Sequence, residues 1–307
     1  MSTSPVSSGT VPSGTIVVGV DGSTQGQLAV AWAAEQAGLE GRALTLVHGT
    51  GESRAWWVAG ASAGIDVERL QREAATSAGR AVLEQARETV RTDFPLVEVH
   101  TLLQVVDARQ ALLDLSATAS MLVVGSRGRG PVASLVMGSV SAAVTRHAQC
   151  PVVVLRPRDT TVTPQGILVG VDRSGHSRAA VEFAYRQASI RALPLTVTYC
   201  SFGVVVGEND VPEIPYDTPG YEHERLILDA SINGMSEKFP DVRVTLTLGR
   251  GLVDTYLIDA CRVSDMVVVG SHVDRYLWNY LFNRNVDRSI VMHAPAVVAV
   301  VPEPTDD

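Results

Sequence analysis

The chain has 307 residues, 46% of them apolar, and a formal net charge of −8. That length and composition suit about two domains with ordinary cores, and the acidic balance argues against a nucleic-acid face, which needs clustered cation. Lys238 is the only lysine, so no glycine-rich loop is followed by the lysine that a P-loop requires, and that class of phosphate site is excluded.

In chain order, residues 1–13 are rich in Ser, Thr and Pro. They lack a basic stretch and an apolar run, so a disordered tail is expected rather than a secretory signal. Thr15 to Val20 is an apolar strand that closes on Asp21, and the Ala-rich stretch from Leu28 to Leu39 is helical. A second strand at 43–48 leads to a Gly/Ala loop, Gly49 to Gly64, in which Trp56 and Trp57 either cover a pocket or interface or pack on their own domain. Val67, Leu70, Ala74, Ala78, Val82, Ala86 and Val90 keep to one face at helical spacing. Strands at 96–105, 121–125 and 151–155 follow, and Pro157 to Pro164 is a polar, proline-bounded linker. The second half places strands near 166–171, 194–200, 242–248, 266–270 and 296–301. Its segment Ser201 to Gly220, with three prolines and Glu208, Asp210 and Glu213, is expected to be an acidic surface loop, a lid or a contact. No apolar run reaches the ~20 residues of a membrane span.

The chain repeats itself. Thr15-Ile-Val-Val-Gly-Val-Asp21 matches Gly166-Ile-Leu-Val-Gly-Val-Asp172, Met121-Leu-Val-Val-Gly125-Ser matches Met266-Val-Val-Val-Gly270-Ser, and His147-Ala matches His293-Ala. The order is kept at a spacing of about 145–150 residues, which is a duplicated domain and not a short-period solenoid. The strands are continuous Val/Ile/Leu runs, as in parallel sheets buried on both faces. Strands alternating with helices imply right-handed crossovers and helices on both faces. Ligands of such sheets lie at the carboxyl ends of the strands.

On that edge stands Gly125-Ser126-Arg127-Gly128-Arg129-Gly130, then Gly138-Ser139-Val140 before an amphipathic segment. Glycine lets backbone N–H groups approach an anion, and a helix N-terminus adds free donors and a positive dipole end. A dinucleotide site would need Gly-x-Gly-x-x-Gly after the first strand, and Asp21-Gly22-Ser-Thr-Gln-Gly26 does not fit. Plainer readings stand beside the phosphate one: Asp21 as a helix N-cap, Arg127 and Arg129 as solvated side chains, and the glycines as a tight turn. Their conjunction on one sheet edge favours the phosphate reading. Cys150, Cys200 and Cys261 are odd in number and far apart. They fit a reducing compartment and buried, small apolar side chains. No Ser-His-Asp, Cys-His or metal constellation stands out, and His48 and His147 have no second ligand at metal spacing.

Asp at the end of strand one, the later Gly-x-x-Gly, nine residues and Gly-Ser, and the tail His147-Ala…Cys150-Pro151-Val-Val-Val resemble the universal stress protein family. The resemblance covers both halves and so implies a tandem member. It comprises a tail (1–13), a first domain (14–156), a linker (157–164), a second domain (165–302) and a short tail (303–307). The implied fold is α/β: two Rossmann-like, adenine-nucleotide α-hydrolase-like domains, each with a five-stranded parallel core and helices on both faces. It also implies an ATP site in the first half. Gly19 and Asp21 would lie by the nucleoside and Val47 and His48 by adenine. Gly125, Ser126, Arg127, Gly128, Arg129 and Gly130 would wrap ribose and phosphates, with Gly138, Ser139 and Val140 on the outer phosphates. A divalent ion such as Mg2+ bridging the phosphates suits such a site, although no acidic cluster marks a metal cage.

The second half keeps Gly170, Asp172, Gly270 and Ser271, a weakened second site at most. Val273 stands for Gly128, and Asn283-Arg284 or Arg284-Asn285 stands for Gly138-Ser139. The aromatic run Tyr276 to Phe282 fills or covers that region, packs on the partner half, or simply begins a core-facing helix, and Arg275 or Arg284 remains available to an anion. The resemblance implies a cytoplasmic, ATP-binding regulator of stress or dormancy rather than an enzyme. It also implies that the last strands pair antiparallel in an internal pseudo-dimer and that chains associate as a homodimer, while the acidic balance and the lack of a spanning run argue against nucleic acid and membrane as partners. A slow ATPase or nucleotidyl-transfer enzyme on the same fold and a nucleotide-free scaffold are the alternatives.

Overall fold

The computed structural model describes residues 11–51, 67–126, 137–156, 161, 163, 165–173, 177–201, 213–271, 289–291, 294 and 296–303. They divide into two compact units, the first running to Cys150 and the second from Pro151, with Met137 counted in the second.

In the first unit, Ile16, Val17 and Val18 of β1 (Ile16–Gly19) are fully buried. Helix α1 (Thr24–Glu40) begins at Ser23, whose hydroxyl accepts from the Gly26 N–H. It stops at Gly41, where the backbone turns left-handed (φ 61°) and its N–H reaches the Ala37 and Gly38 carbonyls. Ala29, Ala33, Ala34 and Ala37 form the buried face, and side chains this small bring the helix axis close to the sheet. Then come β2 (Leu44–Gly49), α2 (Val67–Asp93), β3 (Val99–Gln104), α3 (Ala108–Ser116), β4 (Met121–Gly125) and α4 (Ser139–His147).

The strands run parallel in the order β3-β2-β1-β4, with Gly19 opposite Val47 and Val18 opposite Val123. Helices α1 and α2 pack together in one layer, and α3 and α4 in another. The strand order therefore reverses between β1 and β4, which opens a crevice at their carboxyl ends.

The apolar stripe expected along α2 is only partly a core face. Leu70, Ala74 and Ala78 are exposed, while Gly79, Leu83 and Val90 are buried. A Cβ at Gly79 would lie 2.7 Å from Leu103 Cδ1 and 2.8 Å from His48 Cδ2. The helix is thus seated on β2 and β3 at Gly79, and the turns before it are exposed.

The second unit contains β5 (Val152–Leu155), β6 (Ile167–Val171), α5 (Arg178–Arg191), β7 (Leu195–Ser201), β8 (Glu213–Ile214), α6 (Glu222–Ser231) and α7 (Met235–Lys238). It continues with β9 (Val244–Arg250), α8 (Val253–Cys261), β10 (Met266–Ser271) and β11 (Val297–Pro302). Its sheet runs β5-β11-β10-β6-β7-β9-β8. The core is parallel, and its two outer strands are not. Two-residue β8 lies antiparallel on β9, a short edge that offers little to a foreign strand. At the other side β5 pairs antiparallel with β11, Val152 opposite Val300 and Val154 opposite Val298. The last strand of the first repeat therefore packs with the second unit. Where Gly41 ends α1, Ala192 ends α5 in the same left-handed conformation (φ 51°) with the same pair of carbonyl contacts, at a penalty of roughly 1–2 kcal/mol. Among the described residues no helix is long and apolar enough to cross a membrane.

Candidate functional site

At the exit of β1 the chain leaves the sheet through Val20 and Asp21. The Val20 N–H donates to the Val47 carbonyl at 2.8 Å, and His48 Nδ1 lies 2.6 Å from the Val20 carbonyl oxygen. A carbonyl oxygen can only accept, so Nδ1 carries a proton and donates to it. Nε2 turns toward α2 at Gly79. Val47 is buried within the sheet. The two residues expected beside adenine thus also fix the backbone of the β1 exit.

Asp21 is not the N-cap of α1. Its Oδ1 accepts from the Ser23 N–H (2.9 Å) and the Ser23 hydroxyl (2.6 Å), and Ser23 does the capping. The signal for this in the sequence is Asp-x-Ser ahead of an alanine-rich run. A Cβ at Gly26 would fall 2.6 Å from Asp21 Oδ1, so the carboxylate lies directly against the first turn of α1. That same turn meets the end of β4. A Cβ at Gly125 would be 2.9 Å from the Gln25 carbonyl carbon and 3.0 Å from its oxygen. Gly125 therefore serves a close backbone approach as well as any ligand, and no motif in the sequence singles out Gln25.

Gly19 has a packing reason too. A Cβ there would stand 3.2 Å from Leu112 Cδ1 of α3, and one at Gly170 would stand 3.2 Å from Leu257 Cδ1 of α8. The glycine two residues before each aspartate makes room for the same leucine in both copies.

The loop between β4 and α4 is closed at its neck. The Gly138 N–H donates to the Ser126 carbonyl at 2.9 Å, and the Ser141 hydroxyl donates to the Gly125 carbonyl at 2.7 Å. Arg127, Gly128, Arg129 and Gly130 lie outside the described residues. Gly138 is the N-cap of α4 and offers no side-chain acceptor, and no acidic residue stands in the first turn. The N–H groups of that turn, which include Ser139 and Val140, have no partner within the helix. Ser126 is 1% exposed, and its hydroxyl has no hydrogen-bond partner among the described residues. Gly19, Asp21, Val47, His48, Gly125, Ser126, Gly138, Ser139 and Val140 thus gather at one carboxyl edge. The edge presents donors and a positive helix end, which suit an anion. Among the described residues no group of His, Cys, Asp or Glu is arranged to hold a metal ion.

Residues 13–156 and 165–302 each match the sequence profile of the universal stress protein family. The chain belongs to this family. A universal stress protein of Mycolicibacterium smegmatis is 31% identical over 268 residues, covering 84% of this chain and 86% of the relative. One from Mycobacterium tuberculosis (strain ATCC 25618 / H37Rv) is 33% identical over 264 residues, covering 83% and 86%. The crystal structure of a universal stress protein from Archaeoglobus fulgidus DSM 4304 shares the fold at a TM-score of 0.67 and 14% identity, covering 95% of this chain and 97% of that one. The two profile matches make this a tandem universal stress protein.

The second universal stress domain repeats the β1 exit at β6, but there the N-cap residue of α5, Ser177, makes no side-chain capping bond. The Ser177 hydroxyl donates to Asp172 Oδ1 (2.9 Å) and accepts from the Asp172 N–H (3.1 Å). Gly170 lies in β6, and Gly270 and Ser271 end β10 beside β11. Residues 272–288, which include the aromatic run from Tyr276 to Phe282 as well as Val273, Arg275, Asn283, Arg284 and Asn285, lie outside the described residues, as do Trp56 and Trp57.

Proposed function

We propose that the first universal stress domain binds ATP and that the protein acts as a nucleotide-dependent regulator of stress response or dormancy. The observation that supports this most is the start of α4. An N-terminus without side-chain cap or acid, tied to the β4 exit, stands beside a buried hydroxyl with no partner among the described residues. Phosphate oxygens would satisfy these donors, and charge-assisted hydrogen bonds of this kind contribute roughly 1.5–3 kcal/mol each. Gly138, Ser139 and Val140 would hold the outer phosphates, and Gly125 and Ser126, with Arg127, Gly128, Arg129 and Gly130, the ribose and inner phosphates. Gly19, Asp21, Val47 and His48 would border the nucleoside. Mg2+ would enter with the nucleotide, bound to its phosphates. The protein acts by binding in the cytoplasm, with hydrolysis slow at most. The β5–β11 pairing supports an internal pseudo-dimer of the two repeats, which would further associate as a homodimer.

Extraction of the purified chain and calorimetry are expected to give one ATP per chain. Two per chain would overturn the assignment to the first domain alone, and none would overturn nucleotide binding. Ser126→Ala separates ligand from scaffold. A charge-assisted hydrogen bond of about 1.5–3 kcal/mol corresponds to a roughly 10- to 150-fold loss of ATP affinity. Nucleotide-free stability should hold or rise, because the orphaned hydroxyl is gone. Phosphate release at about 1 per second or faster, typical of enzymes, would favour the ATPase alternative.

A further inference from the structure

We propose that Arg173 is a built-in occupant of the nucleoside position of the second unit. This rests on reading the matching edge of the first unit as the nucleoside site. The two sheets match residue for residue there. Gly19 stands opposite Val47 in the first, and Gly170 stands opposite Thr198 in the second. His48 therefore corresponds to Tyr199, and Gly22, next after Asp21, corresponds to Arg173, next after Asp172.

Gly22 has no side chain to place over the strand ends. Arg173 has a long one, and it is held. Its Nε donates to the Tyr199 hydroxyl at 2.6 Å, its guanidinium carbon lies 5.9 Å from the centre of the Tyr199 ring, and its Nη2 stands 3.9 Å from Glu224 Oε1 on α6. The side chain thus starts at the exit of β6, crosses the end of β7 and reaches α6. That path lies over the strand ends which, in the first unit, would border the nucleoside. The guanidinium lies at the hydroxyl end of a largely buried tyrosine, so the Tyr199 hydroxyl faces a bound cation and not open space.

The wall behind it differs in its side chains. Val47 is replaced by Thr198, whose hydroxyl donates to the Tyr256 hydroxyl at 3.1 Å. The Tyr256 ring fills the space in which a Cβ at Gly249 would lie, 2.8 Å away. Thr198 stays as buried as Val47, so Arg173 is the group that occupies the base end of the second unit, independently of any change in its phosphate loop.

The test uses adenosine, which needs no phosphate loop. Equilibrium dialysis of radiolabelled adenosine at saturation against the full chain is expected to give one per chain for wild type and two for Arg173→Gly. Arg173→Ala, which adds no backbone freedom, repeats the measurement should Arg173→Gly lose its cooperative melting transition. Variants that bind no more than wild type overturn the proposal, and so does a wild type that already takes two. A wild type that takes none, with a variant that takes one, would remove the first-unit reading and keep this one.

Discussion

Replacing Gly125 by alanine sets a methyl 2.9 Å from the carbonyl carbon of Gln25 and 3.0 Å from both its Cβ and its oxygen. Two of those three atoms are backbone, so the first turn of α1 has to move as a body, carrying Ser23 and Asp21 with it. Overpacking of this kind destabilises by about 1–3 kcal/mol. Neither Gly125 nor Gly19 has a positive φ, so alanine also stiffens the unfolded chain and returns about 0.4–1 kcal/mol. The net loss for Gly125→Ala is then about 0–2.6 kcal/mol, with a midpoint of about 1.3 kcal/mol. Gly19→Ala meets a different neighbour. Its methyl lies 3.2 Å from Leu112 Cδ1, the end of a side chain that can yield by a few tenths of an ångström, and the gain in the unfolded state roughly cancels the crowding. Urea unfolding of the nucleotide-free proteins, followed by far-ultraviolet circular dichroism, reads both. A Gly19→Ala loss equal to or greater than that of Gly125→Ala would refute the argument that backbone contact, and not ligand contact, sets the need for glycine at 125.

Leu112→Ala, at a side chain 1% exposed over β1, is expected to lose about 2–5 kcal/mol in the same assay. Leu257→Ala in the second unit should behave alike, and a double variant should add the two within about 0.5 kcal/mol. Burial raises the Cys150, Cys200 and Cys261 thiols from 9.0 to about 12. The unfolded chain gives up these protons first, so their contribution to stability is whole below about pH 9 and is lost as pH rises toward 12. The unfolding midpoint should therefore fall over that window, less steeply once the three cysteines are alanine. At pH 8 the native thiols should react with a thiol reagent far more slowly than the denatured ones.

The strands are legible because buried parallel strands are unbroken runs of Val, Ile and Leu. Met121 to Gly125 agrees with β4 to the residue, and β1, β2 and β6 agree to within one or two at each end. The duplication shows because Gly19 and Gly170 answer to the same leucine. The sequence is less legible where one residue serves two neighbours. Gly125 reads as a ligand contact, and Gln25, which presses on it, carries no signal, because that contact exists only once α1 lies across β4. Asp21 suggests a cap, but Ser23 does the capping and Asp21 orients Ser23. Helical periodicity extends the apolar stripe of α2 through Leu70, because it takes no account of where the sheet ends beneath the helix.

The pairing of Val152–Val154 with Val298–Val300 also sets a schedule. These residues leave the ribosome about 144 positions apart, Val154 against Val298. At roughly 5–20 residues per second that is an interval of about 7–30 s. Until β11 is made, one side of an uncharged valine strand has no partner, and such a side invites association with other nascent chains. A charged or proline substitution in β5 would shorten that hazard but remove the seat for β11. Yield in the cell should therefore respond to translation speed across the second repeat, even for variants whose finished stability is unchanged.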